Sequence, residues 1–317
     1  MINLRFLFFL AITLSLLSCR KNDISEESDW ILSEPDSVFT TPLGKTYTIA
    51  SPSEKMLNQF KEAKATYEAN PDDVEALIWY GRRTAYLGQY GQAIEIYSKG
   101  IEKFPNEPKL YRHRGHRYIS IREFDKAIED LEKAATLIQG TENEIEPDGM
   151  PNAQNIPVST LHGNIYYHLG LAYYLKHDYE KAYEAYLLCR KSGDLYDNIV
   201  SSTHWLYMIQ QRLGNPSKAD SILAPIHADS TVIENQSYAD LCALYKGWLP
   251  VDSLIQAGPG GNPSNDAIRY GVANWYLYNG DTLTTKMMME ELIQTNSFAS
   301  FGYIAAESDL IKYFGDK

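Results

Sequence analysis

Residues 110–120, which read LYRHRGHRYIS, carry three arginines and two histidines in a chain whose formal net charge is −12. The planar guanidinium group of arginine can donate two parallel hydrogen bonds to a carboxylate or a phosphate. Imidazole nitrogens bind zinc, so the histidines offer a second chemistry. The segment is therefore a candidate anion site, with a metal site as the alternative.

Motifs of known catalytic and nucleotide-binding sites are missing from the sequence. It contains no His-Glu-x-x-His, no Gly-x-Ser-x-Gly and no paired-cysteine metal motif. The glycine-rich run at 258–261 lacks the Gly-Lys-Ser/Thr ending of a nucleotide-binding loop, and we interpret it as a turn. We therefore expect neither enzyme activity nor a bound cofactor.

The N-terminus predicts a targeting segment. Residues 6–17 are almost entirely apolar, and the run has the length of a signal-peptide core but is too short to cross a bilayer as a helix. It ends in Leu-Leu-Ser-Cys at 16–19, which resembles the lipobox of bacterial lipoproteins, with an ordinary cleaved signal as the alternative. The resemblance implies cleavage before Cys19 and acylation of that residue. We expect residues 1–19 to be a lipoprotein signal peptide, and the mature chain to be lipid-anchored in the cell envelope, at the outer membrane of a Gram-negative bacterium.

Charge and cysteine content narrow the choice of partner. Cleavage removes one of 29 basic residues, Arg5, and none of the 41 acidic ones, so the net charge changes from −12 to −13. A surface of this sign disfavours nucleic acid.

Cys189 and Cys242 could pair in an oxidising compartment. Because Cys189 falls at a small-residue packing position, we expect buried free thiols instead.

An internal repeat organises the rest of the chain. Residues 20–52 are rich in charge, Ser, Thr and Pro and are interpreted as a tether and lead-in, followed by an amphipathic capping helix at 54–69. Gly81, Ala93 and Tyr97 are matched 34 residues later by Gly115, Ala127 and Leu131, then 55 residues after that by Gly170, Ala182 and Tyr186, and a fourth, weaker copy follows after a further 37. The longer interval contains a 21-residue insertion at about 140–160. A period of this length is typical of a solenoid.

The repeat resembles that of the tetratricopeptide family. The third copy carries the family signature as Tyr166, Leu169-Gly170, Tyr173, Ala182 and Tyr186. The resemblance implies an all-α, right-handed superhelical solenoid of antiparallel helix pairs with N- and C-terminal capping helices. It implies four units, together with the first capping helix, over residues 53–227. Degenerate helical repeats and a C-terminal cap are expected over 228–317.

The resemblance also implies a concave groove, lined by fixed positions of the first helix of each repeat. Apart from Glu75 in the first copy, those positions carry no acid. The sequence therefore predicts a groove that is basic at one end and aromatic in the middle. The candidate groove residues, at these positions or beside them, are Arg82, Arg83, Arg112, His116, Arg117, Tyr167, Tyr174 and His204. The metal alternative would use His113, His116 and His168 as ligands.

The expected function is that of a non-catalytic interaction module. Its partner would be a protein or an acidic-ended peptide held in the groove, and the alternative is a saccharide or another small anionic ligand. The simplest interpretation is that these basic residues lie on a solvated helix face. The insertion carries four acids within residues 142–148, and we expect it to fold over the groove edge as a lid or a wall that pairs with Arg112, His116 and Arg117. A disordered acidic loop is the alternative.

Overall fold

A computed structural model describes residues 38–255 and 263–315 of the chain. The predicted signal peptide, Cys19 and the glycine-rich turn at 258–261 lie outside these ranges. Within them, no helix is both long enough and apolar enough to cross a membrane.

The prediction of an all-α solenoid is confirmed. Helices follow one another as antiparallel pairs joined by short turns. The α-helices of the described ranges are α1 Glu54–Ala69, α2 Val74–Tyr86, α3 Tyr90–Lys103, α4 Pro108–Ser120, α5 Phe124–Leu137, α6 Leu161–Leu175, α7 Tyr179–Lys191, α8 Tyr196–Arg212, α9 Pro216–Ile222, α10 Gln236–Tyr245, α11 Val251–Ile255, α12 Pro263–Tyr278, α13 Thr282–Leu292 and α14 Phe301–Asp309. A π-helical turn, Leu310–Phe314, follows α14.

The periodic glycines hold the two helices of each pair close together. A Cβ on Gly170 would lie 2.6 Å from Cδ2 of Tyr186, and one on Gly81 would lie 2.5 Å from Cε1 of Tyr97. Both tyrosines are almost fully buried. Any side chain larger than hydrogen at these glycines would therefore push the helices apart, which is why the glycine and the aromatic repeat together.

The turn inside each helix pair contains one residue with a left-handed backbone. Gly88, Gly214 and Gly280 have φ between 73° and 84°, as their lack of a Cβ allows. The equivalent residues of the second and third repeats are Arg122, with φ of 67°, and His177, with φ of 63°. The backbone is strained at these two positions because both residues have a Cβ. We therefore expect their side chains to make contacts that a glycine could not make.

Part of the predicted tether is folded. Strands β1, Val38–Thr40, and β2, Thr46–Thr48, form an antiparallel hairpin. Tyr47 of the hairpin stacks on Phe298 at 5.1 Å and donates a hydrogen bond to the Ile293 carbonyl. The sequence shows no partner for this segment because its contacts lie some 250 residues away along the chain.

The C-terminal segment lies inside the superhelix, which corrects the expectation of a cap on an open end. Phe301 of α14 contacts His116 at 5.4 Å and Tyr167 at 6.1 Å between ring centroids. Both partners occupy groove-facing positions of their repeats, so α14 fills part of the concave surface. Arg122 fixes it there, because its Nε donates to Glu307 of α14 at 2.8 Å.

Both cysteines of the described ranges are free and buried, as expected. Burial raises the pKa of the Cys189 thiol to about 12, so it stays protonated and packs as a small apolar side chain.

Candidate ligand-binding site

The 140–160 insertion is ordered and closes one side of the groove. Its two ends pair as an antiparallel bridge between Ile145 and Thr160, and the Glu146 amide donates to the Ser159 carbonyl at 3.0 Å. Apolar anchoring is not the cause, since Ile145 is 63% and Met150 is 73% exposed. Polar contacts with the arginines of α2 and α4 hold the insertion instead.

Two arginines of α2 hold the tip of the insertion by its backbone. Arg82 donates to the Pro147 carbonyl at 2.8 Å, and Arg83 donates to the Gly149 carbonyl at 2.9 Å. A Cβ on Gly149 would collide with the Tyr86 hydroxyl, so the tip can approach α2 only because it has no side chain there. Both arginines were predicted to face the ligand, but each already uses one nitrogen to fix the groove wall.

The predicted pairing between insertion and groove is confirmed for Arg112. Its guanidinium lies 3.3 Å from Oε1 of Glu146, and the other carboxylate oxygen accepts from the Asn164 side chain at 2.8 Å. Glu146 is 5% exposed and Arg112 is 8% exposed. Removing one partner of such a buried pair destabilises the fold, because the other charge is left buried alone. Arg112 therefore helps to hold the wall of the groove in place as well as lining the groove.

A cavity of about 190 Å³ lies between α2, α4 and the tip of the insertion. Arg82, Arg112 and Arg117 line it together with His116, whereas Asp148 faces it from the insertion. The Nε atoms of Arg82 and Arg112 are buried and have no acceptor in the described part of the chain. These enclosed donors add to the cost of burying the two cations, and an anion in the cavity would offset that cost.

Arg117 is the most available of the three guanidinium groups. It lies over the Tyr90 ring at 5.5 Å, and no carboxylate of the described residues lies within 4.0 Å of it. Its removal would therefore leave no buried acid without a partner, unlike the removal of Arg112.

The three histidines of the metal alternative do not form a metal site. The rings of His116 and His168 contact each other in a tilted arrangement with centroids 4.3 Å apart, whereas His113 stacks on Tyr97 and its Nδ1 meets Arg112. Burial and the charge of the neighbouring arginines hold the pKa of all three well below the usual value for histidine. Among the described residues, no group of three or more His, Cys, Asp or Glu side chains is arranged to hold a metal ion.

A larger cavity of about 620 Å³ continues the groove beyond the histidine pair. Its walls come from the insertion, α6, α8 and the segment before α10, with Phe301 of α14 at one side. The aromatic rings of Tyr167 and Tyr238 line it, and no lysine or arginine does. Its carboxylates are those of Asp194 and Glu234, and Glu234 also lines the smaller cavity. The two cavities are therefore neighbours with opposite charge.

Two predicted groove residues are not at the surface. Tyr174 is 1% exposed and shares a hydrogen bond of 2.8 Å with the hydroxyl of Tyr270 from α12. His204 is also 1% exposed and is enclosed by Tyr238 and Tyr245 of α10. The C-terminal helices cover these positions, so the aromatic part of the groove is Tyr167 with Phe301 and Tyr238.

The acids of the site come from loops, which the repeat pattern could not place. Asp197, buried in α8, accepts the backbone N–H groups of Ile233, Glu234 and Asn235 at 2.8–2.9 Å. This fixes the segment before α10 and brings Glu234 to both cavities. The helix positions predicted to line the groove carry no acid after Glu75, and the acids at the cavities come from the loops. The acidic run of the insertion was the only sequence feature that indicated acidic residues at this site.

No model of a known protein family matches the chain. Among solved structures it is similar to MamA, at 21% identity over 51% of this chain and 81% of that one, with a TM-score of 0.40. It is similar to YrrB, described as a TPR protein with an unusual peptide-binding site, at 14% identity over 78% and 99%, with a TM-score of 0.43. A tetratricopeptide repeat protein from Parabacteroides merdae gives 11% identity over 79% and 92%, with a TM-score of 0.46. The helix pairs, the glycine contacts that close them and the left-handed turn in each pair identify this chain as an all-α solenoid of tetratricopeptide-type repeats.

Proposed function

We propose that the protein is a lipid-anchored, non-catalytic interaction module that binds an acidic-ended segment of a partner protein in its concave groove. The observation that carries the proposal is the pair of adjoining cavities, one lined by three arginines and one lined by aromatic and amide side chains. A carboxylate in the smaller cavity would meet the guanidinium groups of Arg82 and Arg112 and the free face of Arg117.

The smaller cavity favours a carboxylate for electrostatic reasons. Arg82 and Arg112 are each 8% exposed, so their charges are poorly screened by water. Desolvation by burial lowers the pKa of Arg112, which means that the cation lacks full compensation despite Glu146. An incoming anion supplies that compensation, and its binding should weaken as salt screens the interaction.

The larger cavity would hold the residues that precede the carboxylate. Its volume of about 620 Å³ suits several residues of extended chain, and amide groups of Asn164 and Asn235 line it. The rings of Tyr167, Tyr238 and Phe301 also suit the apolar face of a sugar, so a saccharide is the second candidate. Binding of a peptide through its carboxylate needs the arginines of the smaller cavity, whereas binding of a saccharide through its apolar face does not.

The Arg117→Gln variant is expected to bind short synthetic peptides with a free C-terminal carboxylate about tenfold more weakly than the wild type. The loss should come from one missing charge-assisted bond, with the melting temperature unchanged because Arg117 pairs with no buried acid. Fluorescence anisotropy with a labelled peptide mixture, at low and moderate salt, measures the difference.

Lys133→Gln is the matched control, because Lys133 is an exposed cation of α5 outside both cavities. It removes the same charge and should bind as the wild type does. If amidated peptides bind as tightly as the free acids, or if oligosaccharides bind equally well to Arg117→Gln and the wild type, the acidic-ended ligand is the wrong choice.

The anchor is tested separately. We expect Cys19→Ala to move the protein from the membrane fraction to the soluble fraction, or to leave an uncleaved precursor, because Cys19 is the only acylation site that the N-terminal pattern offers. Cell fractionation with detection of the protein reports the outcome. Normal processing and continued membrane association of the variant would remove the lipid anchor from the proposal.

A further inference from the structure

The smaller cavity holds opposite charges apart from each other. Arg82, Arg112 and Arg117 line it from α2 and α4, and Asp148 and Glu234 line it from the two loops opposite. Yet no nitrogen of a basic side chain in the described residues lies within 4.0 Å of either of those carboxylates. The charges face the same cavity of about 190 Å³ without touching across it.

Both acids are held in place by their backbones, so they cannot simply move over to the arginines. Asp148 sits between the two carbonyls that Arg82 and Arg83 hold, those of Pro147 and Gly149. Glu234 is fixed by its own amide, which donates to Asp197 at 2.8 Å, and its side chain accepts from Asn152 at 2.6 Å. The separation of charge is thus built into the two loops.

Each of the two carboxylates lacks full compensation. Partial burial raises the pKa of Asp148, and Glu146 adds to this, although Arg82 opposes it. Partial burial likewise raises the pKa of Glu234, with repulsion from Asp148 and Asp197 adding to the effect. A cation placed between Asp148 and Glu234 would lower the free energy of both.

We propose that the smaller cavity selects a peptide that ends in a basic residue, with the terminal carboxylate on the arginines and the side-chain cation on Asp148 and Glu234. The inference rests on the proposed peptide function and deepens it. A ligand with both charges satisfies the two sides of the cavity at once, whereas a purely acidic end would meet Asp148 and Glu234 as like charges. Glu234 reaches both cavities, so the cation can lie at their junction.

The test uses labelled pentapeptides of one sequence that differ only at the last residue. One ends in lysine, the second in norleucine, which has the same chain length without the charge, and the third in lysine amide. We expect the lysine acid to bind the full-length protein about tenfold more tightly than the norleucine acid, since a partly buried charge pair is worth about one factor of ten. The lysine amide should bind at least about tenfold more weakly than the lysine acid.

Variants assign the preference to the two acids. In Asp148→Asn and in Glu234→Gln, the advantage of lysine over norleucine should fall to about threefold or less, while norleucine acid binds as before or more tightly. Glu142→Gln, an exposed acid of the same insertion that lines neither cavity, is the matched control and should keep the tenfold preference. Two variants at separate loops guard against a loss that is due to misfolding of one loop.

The outcomes separate this inference from the proposed function. Equal binding of the lysine and norleucine acids would overturn the preference for a basic end but leave an acid-ended ligand in place. Equal binding of lysine acid and lysine amide would overturn the two-sided site. If none of the three peptides binds, both the inference and the peptide function fail.

Discussion

Replacing Arg122 with glycine is expected to lower the free energy of unfolding by about 3 kcal/mol, although glycine suits the backbone at this position better than arginine does. Arg122 has φ of 67°, and the equivalent turns of other repeats use glycine there. The relief of this backbone strain should be worth about 1 kcal/mol. The loss must therefore come from the side chain.

The side chain of Arg122 joins the repeats to the helix inside the groove. Its guanidinium lies 2.8 Å from Glu307, and it also donates to the carbonyls of Phe298 and Ser120 at 2.7 and 2.6 Å. The side chains of Arg122 and Glu307 are 5% and 2% exposed. Removing one partner of such a buried pair costs about 3–5 kcal/mol, because the other charge stays buried alone.

Urea unfolding of Arg122→Gly and the wild type measures the change. In the double variant Arg122→Gly with Glu307→Gln, the buried charge is gone, so more than about half of the lost stability should return. His177→Gly is the matched control at the other strained turn. Its contacts with α14 are a 3.2 Å approach to Ser308 and a 3.7 Å approach to Asp309, and Asp309 keeps its pair with Arg212 in the variant, so we expect a change of less than about 1 kcal/mol. A neutral or stabilised Arg122→Gly would show that α14 does not depend on this pair.

The periodic part of the molecule could be predicted from its sequence because its contacts are local and repeat. Gly170 meets Tyr186 sixteen residues later in the chain, and Gly81 meets Tyr97 at the same spacing. A residue pair at fixed spacing is visible in one sequence. The helix pairs and the order of the repeats followed from that pattern.

The site could be predicted only in part, because half of its residues meet through contacts between distant segments. The repeat pattern puts Arg82 and Arg112 at equivalent helix positions, and both line the smaller cavity. The charge of the insertion indicated that an acid such as Glu146 would lie near Arg112. Glu234 had no such signal, since it reaches the cavity through the hold of Asp197 on its backbone. Non-local packing of this kind leaves no period in the sequence.

The position of the C-terminal helix is the second reason why the site could be predicted only in part. A groove predicted from repeat positions is open, but α12 covers Tyr174, α10 covers His204, and Phe301 of α14 contacts His116 and Tyr167. The residues that hold α14 in the groove include Arg122, at a turn where other repeats of this chain have glycine. That departure from glycine was the one clue to a contact at this turn.

The buried histidines should make the protein sensitive to mild acid. Burial, with the charges of Arg112 and Arg117, holds the pKa of His168 well below 6.5, and burial with Arg117 does the same for His116. Burial among neutral rings lowers the pKa of His204 to about 3. In the unfolded chain each imidazole takes up a proton near pH 6.5, but in the folded protein it does not.

This difference in bound protons determines how the free energy of unfolding changes with pH. Below pH 6.5 the unfolded state binds more protons than the folded state, so the free energy of unfolding falls as the pH falls. Each of the three imidazoles contributes about 1.4 kcal/mol per pH unit, but only below its unfolded pKa of about 6.5. Together they give a loss of about 4 kcal/mol between pH 7.5 and 5.5, nearly all of it below pH 6.5. Burial and the charge of Arg112 lower the pKa of His113 as well, so this imidazole adds to the loss in the same direction.

Urea unfolding at pH 7.5, 6.5 and 5.5 measures this dependence in a window that isolates the imidazoles. Burial raises the pKa of Asp148 and Glu234, so their protonation favours the folded state, but it begins largely below this window. His204→Gln should reduce the loss by about 1.4 kcal/mol, because one imidazole no longer titrates. His227→Gln, at an exposed position, is the control and should leave the loss unchanged. A free energy of unfolding that is the same at pH 7.5 and 5.5 would mean that these histidines become protonated in the folded state, and the groove around them would then have to open to water.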